Sequence, residues 1–290
     1  MKNINYKLLL YRKPFRYILP DPLHLKLMYK IRMGCRLNLG NPETFTEKIQ
    51  WLKLYDRNPL YAVLADKIEA RKYIEEKIGA EYLIPLLNTF DKTDEINFDE
   101  LPEQFVLKCN HDSKSNYICR KKDRKEFDAA LLFLSKKLKA NYYYYFREWA
   151  YKNIKPRIIC EKYMEDSATG ELRDYRFYCF NGKVKVIGVD YDIIKAYKRA
   201  LFTPDWKFYD VRYKHLKGKE DDIKRPEQLD KMIELAEMLA KDIHFIRVDF
   251  YIADGSIYSG ELTLYPSGGY SKFEPSEFDC ELGKFLDLPL

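Results

Sequence analysis

The alternation of apolar and polar residues predicts two β-hairpins in the second half of the chain. In the stretch "RVDFYIADGSIYSGELTLYP", which begins at Arg247, apolar residues take every second position up to a turn at Ala253, Asp254 and Gly255. Alternation with period two on both sides of a short turn is typical of a hairpin, because successive strand side chains point to opposite faces. The runs "DYRFYCF" and "KVKVIGVDYD" predict the other hairpin in the same way. The two hairpins are expected at 174–189 and 246–264.

Apolar residues at intervals of three and four predict several helices. One begins in "NPETFTEKIQWLKLY", where Thr44 or Thr46 can act as the N-cap. A second covers "YAVLADKIEARKYIEEKIG" and ends at Gly79, and a third covers residues 126–149. Short β-type runs lie between these helices. Together with the two hairpins, this order predicts an α+β or mixed α/β fold.

Three charged residues interrupt the hairpin that begins at Arg247. Arg247 and Asp249 lie on its first strand and Glu261 lies on the second, so the turn would bring the two carboxylates side by side. Adjacent carboxylates repel, and one tends to stay protonated unless a cation lies between them. A divalent metal ion would supply that cation. The alternative is an Arg–Asp pair on a solvated outer face.

Composition sets only broad limits on function. Of the 290 residues, 46% are hydrophobic and 33% charged, which is typical of a globular protein with two or three subdomains. The net charge of +6 favours anionic partners but does not distinguish nucleotides from polysaccharides or RNA. With no apolar run long enough to span a membrane and no signal peptide, the sequence predicts a cytoplasmic protein. The six scattered cysteines favour buried, reduced thiols over a zinc site or a disulfide framework.

The N-terminal segment "KLLLYRKPFRYILPDPLHLKLMYKIRM" mixes basic and apolar residues. The favoured interpretation is a set of helices that pack on the main body with their lysine and arginine side chains outward. The alternative is a basic amphipathic segment that rests on an anionic membrane surface, which would put the protein at the inner face of the membrane.

Two lysines and an aspartate are candidate nucleotide contacts. Lys108 ends an apolar strand in "QFVLKCNH" and precedes a polar turn, where an ammonium group can meet a phosphate. Lys67 lies early in the second predicted helix and could make another phosphate contact. Asp174 follows an exposed connection and could accept hydrogen bonds from a ribose. Each feature also occurs on ordinary surfaces, so their order along the chain is more informative than any one of them.

That order resembles the ATP-grasp superfamily of carboxylate–amine ligases. More closely, "FTEKIQWLKLYDRNPLY", "FVLKCNH", "NYYYYFREWAYKNIKPRIICEKY", "DYRFYCFNGK" and "RVDFYIADGSIYSGELT" look like the TupA-like ATP-grasp family of polysaccharide gene clusters. The resemblance covers the chain from residue 38 to residue 290 and implies an α+β ATP-grasp fold, in which two subdomains hold ATP and Mg²⁺ between them. The expected parts are a helical segment at 1–65, a small subdomain at 66–160 and a large subdomain at 161–290.

The resemblance also implies how the nucleotide is held. Lys67 and Lys108 would contact the ATP phosphates. Glu161 and Met164 would flank the adenine, and Asp174 would contact the ribose.

Metal binding and catalysis are implied for four residues of the last hairpin. Asp249 and Glu261 would hold Mg²⁺, which prefers hard oxygen ligands and leaves part of its shell to phosphates and water. Thr263 stands where most of the superfamily has asparagine, and its hydroxyl would be a weaker ligand. Arg247 would lie over the γ-phosphate.

The loop after Lys108 departs from the family pattern. Relatives usually have glycines after "NH", whereas this chain has Asp112 and Lys114. We expect Asp112 to turn away from the phosphates or to pair with Lys114.

The function implied by the resemblance is ATP-dependent amide formation through an acyl phosphate. The expected acceptor is a uronic-acid carboxylate on a saccharide, the expected amine comes from an amino acid or peptide, and no nucleic-acid partner is expected. Two alternatives stay open. "KVKVIGVDYD" ends in Asp190 and Asp192, which look like the DxD metal site of a glycosyltransferase. The basic run "CRKKDRK" and Tyr142–Tyr145 would suit a non-catalytic polysaccharide or RNA binder.

Overall fold

The computed structural model describes residues 15–167, 170, 172–192 and 197–289. Helices lie mainly in the first half of the chain, and two more accompany the strands of the second half. In chain order the α-helices are α1 (Phe15–Ile18), α2 (Asp21–Met33), α3 (Phe45–Tyr55), α4 (Leu60–Ala65), α5 (Glu69–Ile78), α6 (Arg124–Leu138), α7 (Tyr143–Phe146), α8 (Leu229–Leu239) and α9 (Glu277–Lys284).

The strands form two sheets and a short separate pair. In chain order they are β1 (Leu86–Phe90), β2 (Phe105–Cys109), β3 (Asn116–Cys119), β4 (Ile158–Lys162), β5 (Asp174–Phe180), β6 (Lys183–Tyr191), β7 (Lys198–Phe202), β8 (Phe208–Tyr209), β9 (Arg212–Tyr213), β10 (Leu216–Lys217), β11 (Phe245–Ala253), β12 (Ser256–Thr263) and β13 (Phe273–Glu274). The first sheet has the order β1-β4-β2-β3, and the second has the order β10-β7-β6-β5-β11-β12 with β8 beside β7. β9 pairs with β13.

Both predicted hairpins are present. β5 and β6 form one, and β11 and β12 form the other, with the second turn directly after Ala253. Every strand pair in the described chain is antiparallel except β7 with β10. Helices combined with mainly antiparallel sheets confirm the α+β fold.

Two predicted helices are interrupted, and local hydrogen bonds explain why. The helix expected to end at Gly79 does end there, but Asp66 divides it into α4 and α5. The Asp66 carboxylate accepts hydrogen bonds from the backbone N–H groups of Ile68 and Glu69, an arrangement that competes with a continuous helix. The helix predicted over 126–149 consists of α6 and the separate α7, because Asn141 accepts a hydrogen bond from the backbone of Tyr143 in the same way.

The start of α3 decides between the two threonines proposed as its cap. Thr44 is the N-cap: its hydroxyl accepts from the backbone N–H of Glu47 at 3.2 Å, and the Glu47 side chain accepts in return from the backbone of Thr44. Thr46 lies inside the helix and donates instead to Asp279 at 2.6 Å. This bond joins α3 to α9 near the end of the chain.

The apolar residues form one large core and two smaller ones. The large core lies between the second sheet and the helices packed on it, with Phe177 and Phe250 fully buried among its members. A second core lies under the first sheet around Phe105 and Phe127. The two sheets therefore have separate cores.

The described part of the N-terminal segment packs on the body of the protein. Leu25, Met28 and Tyr29 of α2 are buried in the third core, so the favoured interpretation is confirmed for these residues. Residues 1–14, which include part of the proposed membrane-contact segment, lie outside the described residues. No helix in the described chain is both long enough and apolar enough to cross a membrane.

The cysteine prediction is right for four residues and wrong for two. Cys109, Cys119, Cys160 and Cys179 are buried in the cores, and all six cysteines are free thiols. Cys35 and Cys280 are exposed, because one follows the end of α2 and the other lies on the solvent side of α9.

The proposed subdomain boundaries at 65/66 and 160/161 stay predictions. The second of them falls inside β4, which belongs to the first sheet.

Candidate functional site

Asp66 holds Lys67 next to the end of β2. The Asp66 carboxylate accepts from the backbone N–H of Ile68 at 2.9 Å and from the side-chain amide of Asn110 at 2.9 Å. The backbone N–H of Lys67 donates to the Asn110 carbonyl at 3.2 Å. One aspartate thus binds the backbone at the start of α5 and the residue after β2. As a result Lys67 lies in the break before α5, not within the helix where the sequence suggested it.

Four of the predicted site residues line one cavity between the two sheets, which we call the intersheet cavity. They are Lys67, Lys108 on β2, Glu161 on β4 and Glu261 on β12. The Lys108 Nζ is 2.6 Å from a Glu161 oxygen, and the Lys67 Nζ is 3.6 Å from a Glu261 oxygen. Arg71 on α5 also reaches Glu161, at 3.2 Å. The predicted phosphate contacts therefore converge, and each lysine faces a carboxylate in a mostly buried setting.

Asp249 and Glu261 lie directly opposite each other across β11 and β12, as the hairpin predicted. The Arg247 guanidinium donates to both oxygens of Asp249, at 2.6 and 2.5 Å, and to the Thr263 hydroxyl at 3.1 Å. The side chain of Glu261 is 33% exposed, and within the described part of the chain its ion-pair contacts are longer, 3.6 Å to Lys67 and 3.9 Å to Arg247. An Arg–Asp pair is therefore present, but it is buried, not on a solvated outer face.

The two facing acids differ in their tendency to ionise. Burial is the largest influence on Asp249 and raises its pKa to about 7, against the lowering effect of Arg247. Burial also favours neutral Glu261, but the positive charges of Lys67 and Arg247 outweigh it, so the pKa of Glu261 is lowered. A further cation beside Asp249 would favour its ionised form.

The donor atoms of this hairpin suit Mg²⁺ better than they suit a metal ion that takes all its ligands from the protein. Within the described residues, no group of three or more histidine, cysteine, aspartate or glutamate side chains is placed to hold a metal ion. Two carboxylates and a hydroxyl fit a cation that takes the rest of its shell from phosphates and water. Glu261 is the freest of the three, because Asp249 and Thr263 already accept hydrogen bonds from Arg247.

Asp174 belongs to a row of opposite charges across the second sheet. Arg176 donates to Asp174 at 2.8 and 2.5 Å and lies 3.0 Å from Asp190 and 3.9 Å from Asp249. The Oδ1 of Asp174 is buried without a hydrogen-bond partner among the described residues. Sequence reasoning missed Arg176, although its spacing of two from Asp174 in "DYRFYCF" puts both side chains on one face.

Asp190 and Asp192, the residues of the alternative glycosyltransferase metal site, pair with different cations. Arg199 donates to both oxygens of Asp190, at 2.5 and 2.6 Å, and the Tyr197 hydroxyl donates at 2.7 Å. Burial alone would raise the pKa of Asp190, but these partners lower it to about 2. Asp192 pairs separately with Lys198 at 3.1 Å. Each carboxylate is already committed to its own cation.

Met164 does not belong to the residues around the intersheet cavity. It is half-buried in the irregular connection after β4 and does not line the intersheet cavity. Residues 168, 169 and 171 of that connection lie outside the described residues. The role of Met164 stays a prediction.

In the loop between β2 and β3, the structure shows which partner Asp112 has. Its buried carboxylate accepts from the Ser115 hydroxyl and lies 3.4 Å from the Lys137 ammonium on α6. Asp112 therefore pairs with Lys137 and not with Lys114. Its backbone carbonyl accepts from Lys67 at 2.5 Å, which ties the loop to the intersheet cavity.

A second opening of about 260 Å³ adjoins this loop, and we call it the tyrosine cleft. It lies between the loop and the segment that follows α6. Its walls include Asp112–Lys114, Lys137, Tyr142, Tyr145 and Phe146.

The two features proposed for a non-catalytic binder differ in exposure. Most of "CRKKDRK" is exposed, and Arg124 within it pairs with Asp128 at 3.2 Å on the surface of α6. In the run Tyr142–Tyr145 one ring is buried and three are half-buried.

The sequence model of the TupA-like ATP-grasp family matches residues 47–287. The chain belongs to the TupA-like ATP-grasp family. No curated protein matches the sequence. This family assignment agrees with the α+β fold and the two sheets described above.

Solved ATP-grasp structures resemble this TupA-like protein only distantly. D-alanine–D-alanine ligase from Bacillus anthracis is 21% identical over 70% of this chain and 57% of that chain, with a TM-score of 0.43. The same enzyme complexed with ATP gives 17% identity over 70% and 55%, with a TM-score of 0.41. The ATP-grasp ligase PsnB, complexed with a minimal precursor, Mg and ADP, is 11% identical over 76% and 57%, with a TM-score of 0.38. This chain thus spans little more than half the length of these enzymes.

Proposed function

We propose that this protein is an ATP- and Mg²⁺-dependent carboxylate–amine ligase of cell-surface polysaccharide biosynthesis. The observation that carries the proposal is the convergence of Lys67, Lys108 and Glu261 on the intersheet cavity, with Asp249 facing Glu261. Two cations and two carboxylates at one place are what a metal–triphosphate complex requires. Membership of the ATP-grasp family supports the same reaction class.

The nucleotide is proposed to use five residues. Lys67 and Lys108 bind its phosphates; because each lysine already faces a carboxylate, the phosphates replace one anionic partner by another and keep the ammonium group paired. Glu161 and Met164 flank the adenine. Asp174 receives a ribose hydroxyl, and its unpartnered buried Oδ1 supports this role.

The metal is proposed to bind at the last hairpin. Asp249 and Glu261 are its carboxylate ligands, and Thr263 is a weaker one. Bound Mg²⁺ would neutralise charge on the phosphates. Glu261 is the most accessible of the three, and Asp249 can contribute once Arg247 turns part of its guanidinium toward the phosphate.

The reaction proposed has two bond-forming steps. A carboxylate oxygen of the acceptor attacks the γ-phosphorus of ATP, and the bond between that phosphorus and ADP breaks. The amine nitrogen then attacks the acyl carbon, phosphate leaves, and the nitrogen loses a proton. Arg247 faces the γ-phosphate and stabilises charge there, while the lysines orient the reactants. No nucleophilic side chain is required.

The acceptor, the amine and the cellular location follow from the family resemblance. We propose a uronic-acid carboxylate on a saccharide as the acceptor and an amino acid or peptide as the amine. A cytoplasmic location, with contact to the inner face of the membrane through the basic N-terminal segment, remains a prediction.

The test is an assay of the full-length protein with ATP, Mg²⁺, pooled amino acids and uronic-acid acceptors. We expect ADP and a condensation product whose mass is that of acid plus amine less one water. Release of UDP from sugar nucleotides, with no ADP from ATP, would contradict the ligase and favour the glycosyltransferase.

A further inference from the structure

The tyrosine cleft has one aromatic wall. The rings of Tyr142, Tyr145 and Phe146 are half-buried there, and the centroids of the two tyrosines are 6.0 Å apart. Arg16 lies 4.4 Å from the Tyr145 centroid and Arg32 lies 4.9 Å from that of Phe146, so both rings are supported from outside the cleft. Flat aromatic surfaces pack on the apolar C–H face of a sugar ring. At about 260 Å³ the cleft suits one ring better than an extended chain.

The lining of the cleft also carries a positive charge. Lys137 is 31% exposed and is partly neutralised by Asp112 at 3.4 Å. Lys114 is exposed, and no carboxylate of the described residues lies within ion-pairing distance of its ammonium group. Among the residues that line the cleft, two ammonium groups and one carboxylate leave a surplus of one positive charge. The cleft is therefore matched to a small anion.

The cleft is connected to the proposed reaction centre. The carbonyl of Asp112 accepts from Lys67, which also lines the intersheet cavity. A ligand in the cleft would lie beside the loop that adjoins the proposed phosphate site.

We propose that the tyrosine cleft binds the acid acceptor as a single hexuronic acid residue, with its ring against Tyr142 and Tyr145 and its carboxylate toward Lys114 and Lys137. This assignment rests on the proposed function only in calling that acid the acceptor. It also gives the two departures from the family's glycines a role: Asp112 orients Lys137, and Lys114 supplies the unpaired charge.

The experiment measures binding without turnover. Galacturonate and neutral galactose are titrated calorimetrically into the full-length protein, and ATP with Mg²⁺ is titrated separately. The variants are Lys114→Ala and Tyr145→Leu, with Lys125→Ala as a control for loss of an exposed lysine of α6 outside the cleft.

For the wild type we expect the Kd of galacturonate to be lower than that of galactose by about tenfold or more. Lys114→Ala should remove most of that preference, Tyr145→Leu should weaken both sugars, and Lys125→Ala should change neither. The affinity for ATP should be the same in all four proteins.

The outcomes separate this assignment from the ligase proposal. Unchanged galacturonate binding in both cleft variants, or loss of ATP binding with them, would overturn the cleft assignment. If the cleft variants lose galacturonate binding but no combination of acid and amine gives ADP, the cleft assignment stands and the ligase proposal fails. If ADP forms with uronate at the same KM in every cleft variant, the ligase stands and the cleft assignment fails.

Discussion

Asp249 and Glu261 occupy opposite positions on β11 and β12, yet their side chains have different surroundings. Asp249 is 2% exposed and both its oxygens are bound by Arg247. Glu261 is 33% exposed, and no basic group of the described residues lies closer to its carboxylate than 3.6 Å. One acid therefore belongs to a structural pair, and the other is available to a ligand.

We predict that Asp249→Asn and Glu261→Gln, which each remove a proposed metal ligand, differ in their effect on stability. Without nucleotide, Asp249→Asn should lower the free energy of unfolding by about 3–5 kcal/mol, because it leaves the buried Arg247 without its partner. Glu261→Gln should change it by less than about 1 kcal/mol, since long and partly exposed ion pairs contribute little. Chemical denaturation of both variants, with and without Mg·ATP, measures these values.

Glu261→Gln should also abolish the stabilisation that Mg·ATP gives the wild type, since only binding to the native state stabilises it. A Glu261→Gln protein that is strongly destabilised, yet responds to Mg·ATP like the wild type, would falsify the metal-ligand proposal.

A second prediction concerns Lys108. Lys108→Ala should raise the Kd for ATP about tenfold or more, because it removes a charged contact to phosphate. The protein should stay folded, since Arg71 still faces Glu161 at 3.2 Å. The matched control is Lys183→Ala on β6, whose exposed ammonium is 2.6 Å from Glu237 and which does not line the intersheet cavity. Titration calorimetry with ATP decides; equal losses in both variants would exclude a specific role for Lys108.

A third prediction tests the aspartates of "DYD". Asp190→Asn should lower the free energy of unfolding by about 3–5 kcal/mol, because Asp190 is fully buried against Arg199. Asp192→Asn should have an effect below about 1 kcal/mol, because its pair with Lys198 is half-exposed. Denaturation curves check both. If Asp192→Asn is folded and loses binding of Mn²⁺ with a UDP-sugar that the wild type has, the glycosyltransferase alternative returns.

A fourth prediction concerns acid stability and His24. Burial in α2, assisted by the charges of Arg147 and Lys53, lowers the pKa of His24 to about 3. In the unfolded chain the pKa of His24 is about 6.5, so below that pH the unfolded chain binds a proton that the folded chain does not bind. The free energy of unfolding therefore falls as the pH drops from about 6.5 toward about 3. At pH 4 this amounts to about 3 kcal/mol.

His24→Phe should therefore lose less stability between pH 7 and pH 4 than the wild type. Denaturation of both proteins at the two pH values gives the comparison. Identical losses would mean that His24 accepts a proton in the folded protein.

The sequence predicted those parts of the site that follow from local periodicity. The facing of Asp249 and Glu261 required only a hairpin and its turn, and the family motifs supplied Lys67, Lys108 and Glu161. Arg71 escaped notice because its partner Glu161 is 90 residues away in sequence, and nothing local to α5 indicates that contact. The helix breaks at Asp66 and Asn141 were not predicted. Their side chains can take backbone hydrogen bonds from a helix only where the surrounding fold lets the chain change direction, and the local sequence does not show that.

The strand order of the first sheet has a consequence for synthesis of the chain. Within that sheet β1 pairs only with β4, which is the last of its four strands to be made. At about 5–20 residues per second, β1 therefore waits several seconds for its partner after it leaves the ribosome. During that time its edge is open to other chains, and Leu86 and Leu87 remain 42% exposed even in the finished sheet. A fragment that stops at residue 160 would lack Glu161 and Lys162 of β4, and we expect it to aggregate where the whole chain folds.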